Sequence, residues 1–146
     1  MERLHFSITI KAPKEKVWHT MLDDVSYRQW TKAFYDGSCY KGSWASGSKI
    51  FFLSPEDDGI VSRIAANIPY QYISIEHLGF VSKGVEDTES EAAKVFAGAQ
   101  ENYTFKEGNG ITEVFIETDM AEDYKEMMEG MWPKALTKLK ELAENA

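Results

Sequence analysis

The stretch Tyr124-Lys125-Glu126-Met127-Met128-Glu129-Gly130-Met131-Trp132-Pro133-Lys134-Ala135-Leu136-Thr137-Lys138-Leu139-Lys140-Glu141-Leu142 decides the fold. Tyr124, Met127, Met128, Met131, Ala135, Leu139 and Leu142 recur at spacings of three and four. That is one apolar stripe on a helix of roughly twenty-five residues. Asp119 is positioned to cap its start, with Glu122 at the matching capping-box position. Pro133 lies inside the helix, where its ring should bend the axis and leave the carbonyl of Glu129 without a helical donor. A helix with one apolar stripe needs a surface to lie on, so the rest of the chain has to supply a sheet or further helices.

Working outward, the other segments supply a sheet. Leu4, Phe6, Ile8 and Ile10 alternate with polar neighbours, the period of a half-buried strand. Pro13 then suits the first turn of a helix whose apolar face is Val17, Trp18, Met21 and Leu22. A second short helix is expected over about Val25 to Trp30, followed by a Gly/Ser-rich stretch. Strands are expected at Ile50–Leu53, Ile60–Ile68, Tyr70–Val81, Asn102–Glu107 and Ile111–Met120. The turns Pro55–Gly59 and Gly108-Asn109-Gly110 join neighbours as hairpins. Glu86 to Glu91 reads as an exposed acidic loop, and Thr88 with Glu91 as a capping box opening a short helix near Ala92–Phe96. Strands segregated from helices mean an α+β class, with an antiparallel sheet of about seven strands burying one face under the long helix.

The 146 residues form one domain, 1–146, without repeat or linker. Hydrophobic residues at 43% and charged residues at 27% exclude disorder. The formal net charge of −8 lacks the concentrated positive charge that a phosphate backbone or an anionic membrane surface requires, so nucleic acid is not an expected partner. One cysteine, Cys39, forbids an internal disulfide and a multi-thiolate zinc site. No apolar run approaches the roughly 18 residues of a membrane span. The strand-like N-terminus does not read as a signal peptide. A soluble, cytoplasmic protein is expected.

Several local motifs, in order, carry a resemblance. Ala12-Pro13-Lys14-Glu15-Lys16-Val17-Trp18 marks a strand-to-helix entry, and Asp24 with Trp30 a second helix. Gly47-Ser48 with Phe51-Phe52, and Ile64 with Pro69 and Ile73, mark middle strands. Trp132-Pro133-Lys134-Ala135-Leu136 with Leu139 marks the closing helix. Across essentially the whole chain this series resembles the helix-grip (SRPBCC, START-like) superfamily. Within it, the chain is similar to single-domain proteins related to the C-terminal domain of the activator of heat-shock-protein-90 ATPase. The resemblance implies a curved sheet wrapped around the C-terminal helix, two short helices after the first strand, and a cavity between sheet and helix. It implies no single reaction, since members include lipid carriers, hormone receptors, polyketide cyclases and chaperone cofactors. Two-domain chaperone activators carry a further N-terminal domain for which this chain has no room, which weighs against an ATPase-activator role.

No phosphate-cradling loop, nucleophile elbow or H-E-x-x-H pattern occurs in the sequence, so no catalytic residue, metal site or cofactor is expected. The cavity candidates are His77, Ile75, Tyr103, Phe105, Met128, Met131 and Trp132. His77 shares a strand face with Ile73 and Ile75; it reads either as a polar group presented to a ligand or as a core histidine satisfied by a neighbour. Met127, Met128, Met131 and Trp132 read as an adaptable wall or as plain core. Tyr103 and Phe105 carry the same two readings. Arg63 has the parity of an outer-face residue paired with an acid. Three functions follow. The first is non-catalytic binding of a small hydrophobic or amphipathic molecule, as a carrier or sensor. The second is a chaperone-cofactor-like module meeting a protein partner through its acidic surface. The third is a cyclase- or aromatase-like enzyme using His77 as acid or base.

Overall fold

A computed structural model describes residues 1–145. The chain runs β1 (Glu2–Ile10), α1 (Lys14–Leu22), α2 (Asp24–Trp30), a 3-10 turn (Thr31–Ala33), β2 (Cys39–Gly42), β3 (Lys49–Leu53), β4 (Gly59–Ile68), β5 (Tyr72–Ser82), β6 (Val85–Asp87), α3 (Glu91–Phe96), β7 (Gln100–Gly108), β8 (Ile111–Met120) and α4 (Glu122–Asn145). All strand pairs are antiparallel, in the order β1-β8-β7-β5-β4-β3-β2, with β6 also paired to β5. This is the expected α+β arrangement of one large antiparallel sheet gripping the C-terminal helix. It has eight strands. The two that periodicity missed are short: β2 in the Gly/Ser-rich stretch, and β6 within the expected acidic loop.

Side-chain chemistry explains the elements. β1 alternates because only one face meets the core, and Ala12-Pro13 ends its ladder. The apolar side of α1 is buried as the spacing requires, with Trp18 packing on Phe105 of β7 at 5.2 Å between ring centroids. Two extra residues bend the sheet: Ala65 in β4 and Leu78 in β5 have no partner in the β4–β5 register. At the Leu78 bulge the edge of β5 changes neighbour. Tyr72–Glu76 pairs with β7, whereas Phe80–Ser82 pairs with β6. The connection between them carries α3 over the sheet. Gly79 is required there, because a Cβ would sit 2.2 Å from the carbonyl oxygen of Asp87.

Two expected caps differ in the structure. The N-cap of α3 is Ser90, whose hydroxyl accepts from the Ala93 N–H at 3.2 Å; Asp87 rather than Thr88 organises the preceding turn, accepting from the N–H groups of Glu89 and Ser90. Asp119 does not cap α4. It belongs to β8, and its carboxylate is taken by Arg3 at 2.8 Å and by the Gln100 N–H at 2.9 Å. Arg63 lies on the outer face, 2.6 Å from Glu76.

The long helix is held by only part of its stripe. Trp132, Ala135, Leu136, Leu139 and Ala143 are buried, and helical order continues through Pro133. Among residues 122–131 none is buried. Tyr124 is 56% and Met127 45% exposed. The stripe is therefore continuous in sequence but fully buried only from Trp132 onward, with Met128 and Met131 half-buried before it. There the indole meets Phe6 of β1 at 5.8 Å, Trp30 of α2 at 6.1 Å and Phe34 at 4.9 Å.

This division predicts unequal costs along one stripe. Leu139→Ala should lose about 2–5 kcal/mol of stability in urea unfolding, because it opens a void in a closed core. Met127→Ala should stay within about 0.5 kcal/mol of the parent, as exposed positions do. Equal losses would mean that both halves of α4 are packed.

Candidate functional site

Beneath the unpacked half of α4 lies a cavity of about 820 Å³. Its roof is Tyr124, Met127, Met128 and Trp132 of α4. Tyr27, Trp30 and Phe34 form one end and Ala92, Val95 and Phe96 the other, while β3, β4, β5, β7 and β8 provide the floor. Exposed apolar side chains on its lining, Met1, Tyr35, Val95, Tyr124 and Met127, mark where it opens to solvent. They are unburied because they border a void rather than a neighbour.

The cavity candidates separate into two groups. His77, Tyr103, Met128 and Trp132 line the cavity. Ile75 and Phe105 lie in the packed core, and half-buried Met131 is not on the wall. The bulge accounts for part of this placement. His77 and Phe80 are three residues apart and would point to opposite faces of a regular strand. The extra Leu78 reverses the alternation, so both reach the cavity, where the ring of Phe96 stacks on His77 at 5.1 Å and on Phe80 at 4.8 Å.

His77 combines both of its expected readings. Its Nδ1 is 2.7 Å from the hydroxyl of buried Ser62, its cross-strand partner. Its Nε2 has no protein partner among the described residues, and the ring lines the cavity. Burial pushes its pKa down to about 4 against an opposing pull from Asp119, so the imidazole is neutral at pH 7. In either tautomer Nε2 presents one polar function to the interior.

Glu101 is the polar residue that sequence reasoning missed. It faces Thr118 of β8 and Ile75 of β5 in the ladder and lines the cavity beside Tyr103. The Tyr103 hydroxyl donates to its Oε2. Burial raises the Glu101 pKa, while hydrogen bonds from Tyr103 and Thr118 oppose that rise. Burial also pushes the phenols of Tyr27 and Tyr103 well above the usual range, and the Glu101 charge adds to both. The available signal was parity: Glu101 precedes Tyr103 by two, on the same face. The expected strand starts at Asn102, two residues after the observed start at Gln100, and so leaves Glu101 out. The opposite face at this level is polar but closed, with the Ser74 hydroxyl donating to Asn102 Oδ1 at 2.7 Å.

Asp119 also borders the cavity, but a two-pronged contact from Arg3, 2.8 and 3.1 Å, holds its carboxyl below the ordinary range. Cys39 lies on the wall, half-buried. Trp44 is not on the wall; its indole N–H donates to the Leu22 carbonyl at 3.0 Å, and it packs on Tyr40 and Phe52. Among the described residues no group of three or more His, Cys, Asp or Glu side chains is placed to hold a metal ion, and no helix is long and apolar enough to cross a membrane.

Solved structures share this architecture at low identity. DynU16, from the dynemicin biosynthetic locus, matches with a TM-score of 0.73 and 14% identity over 99% of this chain, which spans about half (48%) of its length. The Aha1 dimer from Colwellia psychrerythraea matches with a TM-score of 0.72 and 18% identity, covering 99% of this chain and 98% of that one. CalU16 from Micromonospora echinospora matches with a TM-score of 0.67 and 15% identity, covering 99% and 76%. At these identities the likeness shows the fold. Comparison with curated proteins finds no matching relative. The model of one family spans residues 11–144, from the strand-to-helix entry at Lys11 to the last turn of α4, and the chain belongs to that family: Activator of Hsp90 ATPase homolog 1-like protein, with the SRPBCC helix-grip fold.

Proposed function

We propose that this protein binds one small amphipathic molecule in the cavity under α4, without chemical conversion. The observation that carries the reading is the unpacked half of the long helix. An apolar stripe left partly exposed forgoes part of the stabilisation of burial, about 25 cal/mol per Å². Here it roofs a void of about 820 Å³, within the range of about 300–1,000 Å³ typical of small-molecule sites. The wall is mainly aromatic and Met side chains, which adapt to apolar shapes. Among its polar groups, His77 Nε2 and the Glu101–Tyr103 pair are suited to fixing orientation rather than to bond breaking. The hydroxyl that His77 meets, Ser62, is fully buried and off the cavity wall, so it is not presented to a ligand as a nucleophile.

A ligand that binds only the folded state must stabilise it, by about 2.7 kcal/mol at a hundredfold excess over Kd. Thermal unfolding against a panel of sterols, aromatic amphiphiles and fatty amines, alcohols and acids should therefore yield at least one compound that raises Tm with saturation. Met128→Trp, which places an indole in the void, should remain folded and lose that response. A panel with no response in the parent protein, or an unchanged response in the filled variant, removes the reading.

Neutral His77 makes a separate prediction. Its folded-state pKa of about 4 lies below the ordinary 6.5, so the unfolded chain binds the extra proton between those values. Stability is therefore complete above pH 6.5 and falls on acidification toward pH 4. The loss attributable to this group is up to about 3 kcal/mol, at 1.36 kcal/mol per pH unit. Urea unfolding of the parent and of His77→Gln at pH 7, 5.5 and 4 isolates it. The difference between the two proteins should shrink as the pH falls, and a constant difference would mean that His77 is not held neutral.

A further inference from the structure

We propose that the ligand's head group is a protonated amine seated against Glu101, and that the cavity discriminates against the carboxylic acid of the same skeleton. This rests on the ligand-binding reading above and names the ligand class.

Charge balance at the cavity wall supports this. Glu101 is half-buried there, and no ion pair reaches it among the described residues. Tyr103 and Thr118 satisfy its oxygens by hydrogen bonds, which orient a carboxylate but carry no positive charge. Asp119, two strands from β5 in the same sheet, shows the contrast: Arg3 crosses from β1 to neutralise it. The lining contains four carboxylate residues, Asp58, Glu91, Glu101 and Asp119, and neither lysine nor arginine. His77, also on the lining, is neutral and leaves Nε2 open. An anionic head would thus lie beside the Glu101 carboxyl with no lysine or arginine of the lining to offset it. A cationic head would complete the missing pair, and Tyr27, Trp30, Phe52, Tyr103 and Trp132 add aromatic rings to the lining of the same cavity.

Matched probes test this on the full chain: 2-(1-naphthyl)ethylamine, 2-(1-naphthyl)ethanol and 1-naphthylacetate, with octylamine, octanol and octanoate as a second set. Isothermal titration near neutral pH should give an order of amine, alcohol, acid, with the amine at least about tenfold tighter than the acid. In Glu101→Gln, which keeps the size and one acceptor oxygen, the amine should fall to about the alcohol's affinity. Acid binding equal to or tighter than amine binding in the parent overturns the head-group assignment and leaves the cavity reading standing. An amine preference that survives in a folded Glu101→Gln likewise overturns the role of Glu101. Binding of none of the six probes overturns the cavity reading and this proposal with it.

Discussion

Trp132 is where the structure divides. Its indole is 3% exposed and is held between Phe6 of β1 and the pair formed by Trp30, at the end of α2, and Phe34. From there to Ala143, α4 is a packed core helix. Before it, the same helix roofs the cavity. The cluster contributes apolar burial and aromatic contacts at one spot, where the preceding ten residues include no fully buried side chain. Pro133 follows directly and withholds a hydrogen bond from Glu129. The turn with the weakest helical support is therefore the one most firmly held by its side chains.

The sheet is adapted to the same division. Where α4 packs, β1, β8 and β7 are regular, with uninterrupted registers. Where α4 lifts away, β5 carries its bulge at Leu78, hands its edge from β7 to β6, and lets α3 fold across the opening. The bulge turns His77 and Phe80 inward together, and Phe96 stacks across both. Polar groups are concentrated where β5, β7 and β8 meet, at His77, Glu101, Tyr103 and Thr118. The apolar groups lie on α2, α3 and α4 and on the strands β3, β4 and β5. Such an asymmetric interior suits an amphipathic occupant better than a purely apolar one.

Much of this was legible in the sequence. The three-and-four spacing of Tyr124 to Leu142 located α4, and alternation in Leu4–Ile10 and Ile111–Met120 located the strands that carry it. The strand–helix order gave the α+β class. Periodicity reports which face is apolar, however, and not whether that face finds a partner. Tyr124 and Leu139 look equivalent in the pattern, yet one is exposed and the other is fully buried. For the same reason Ile75 and Phe105 looked equal to Tyr103 as cavity residues. The Leu78 bulge has no sequence signature beyond the neighbouring Gly79, and the short β2 and β6 fall below the length at which alternation can be seen. Glu101 had a readable parity but sat just outside the expected strand. Asp119 resembled a helix cap because the residue that takes its carboxylate, Arg3, lies at the far end of the chain.

The central claim is that the space under α4 is open and takes one small amphiphile. Native mass spectrometry of the full chain, freshly purified and then with octylamine added, tests it most directly. The account predicts a one-to-one adduct on the 16.6 kDa chain that denaturation releases and that Met128→Trp does not form. A bare chain under both conditions, or an adduct equally populated in the filled variant, would contradict it.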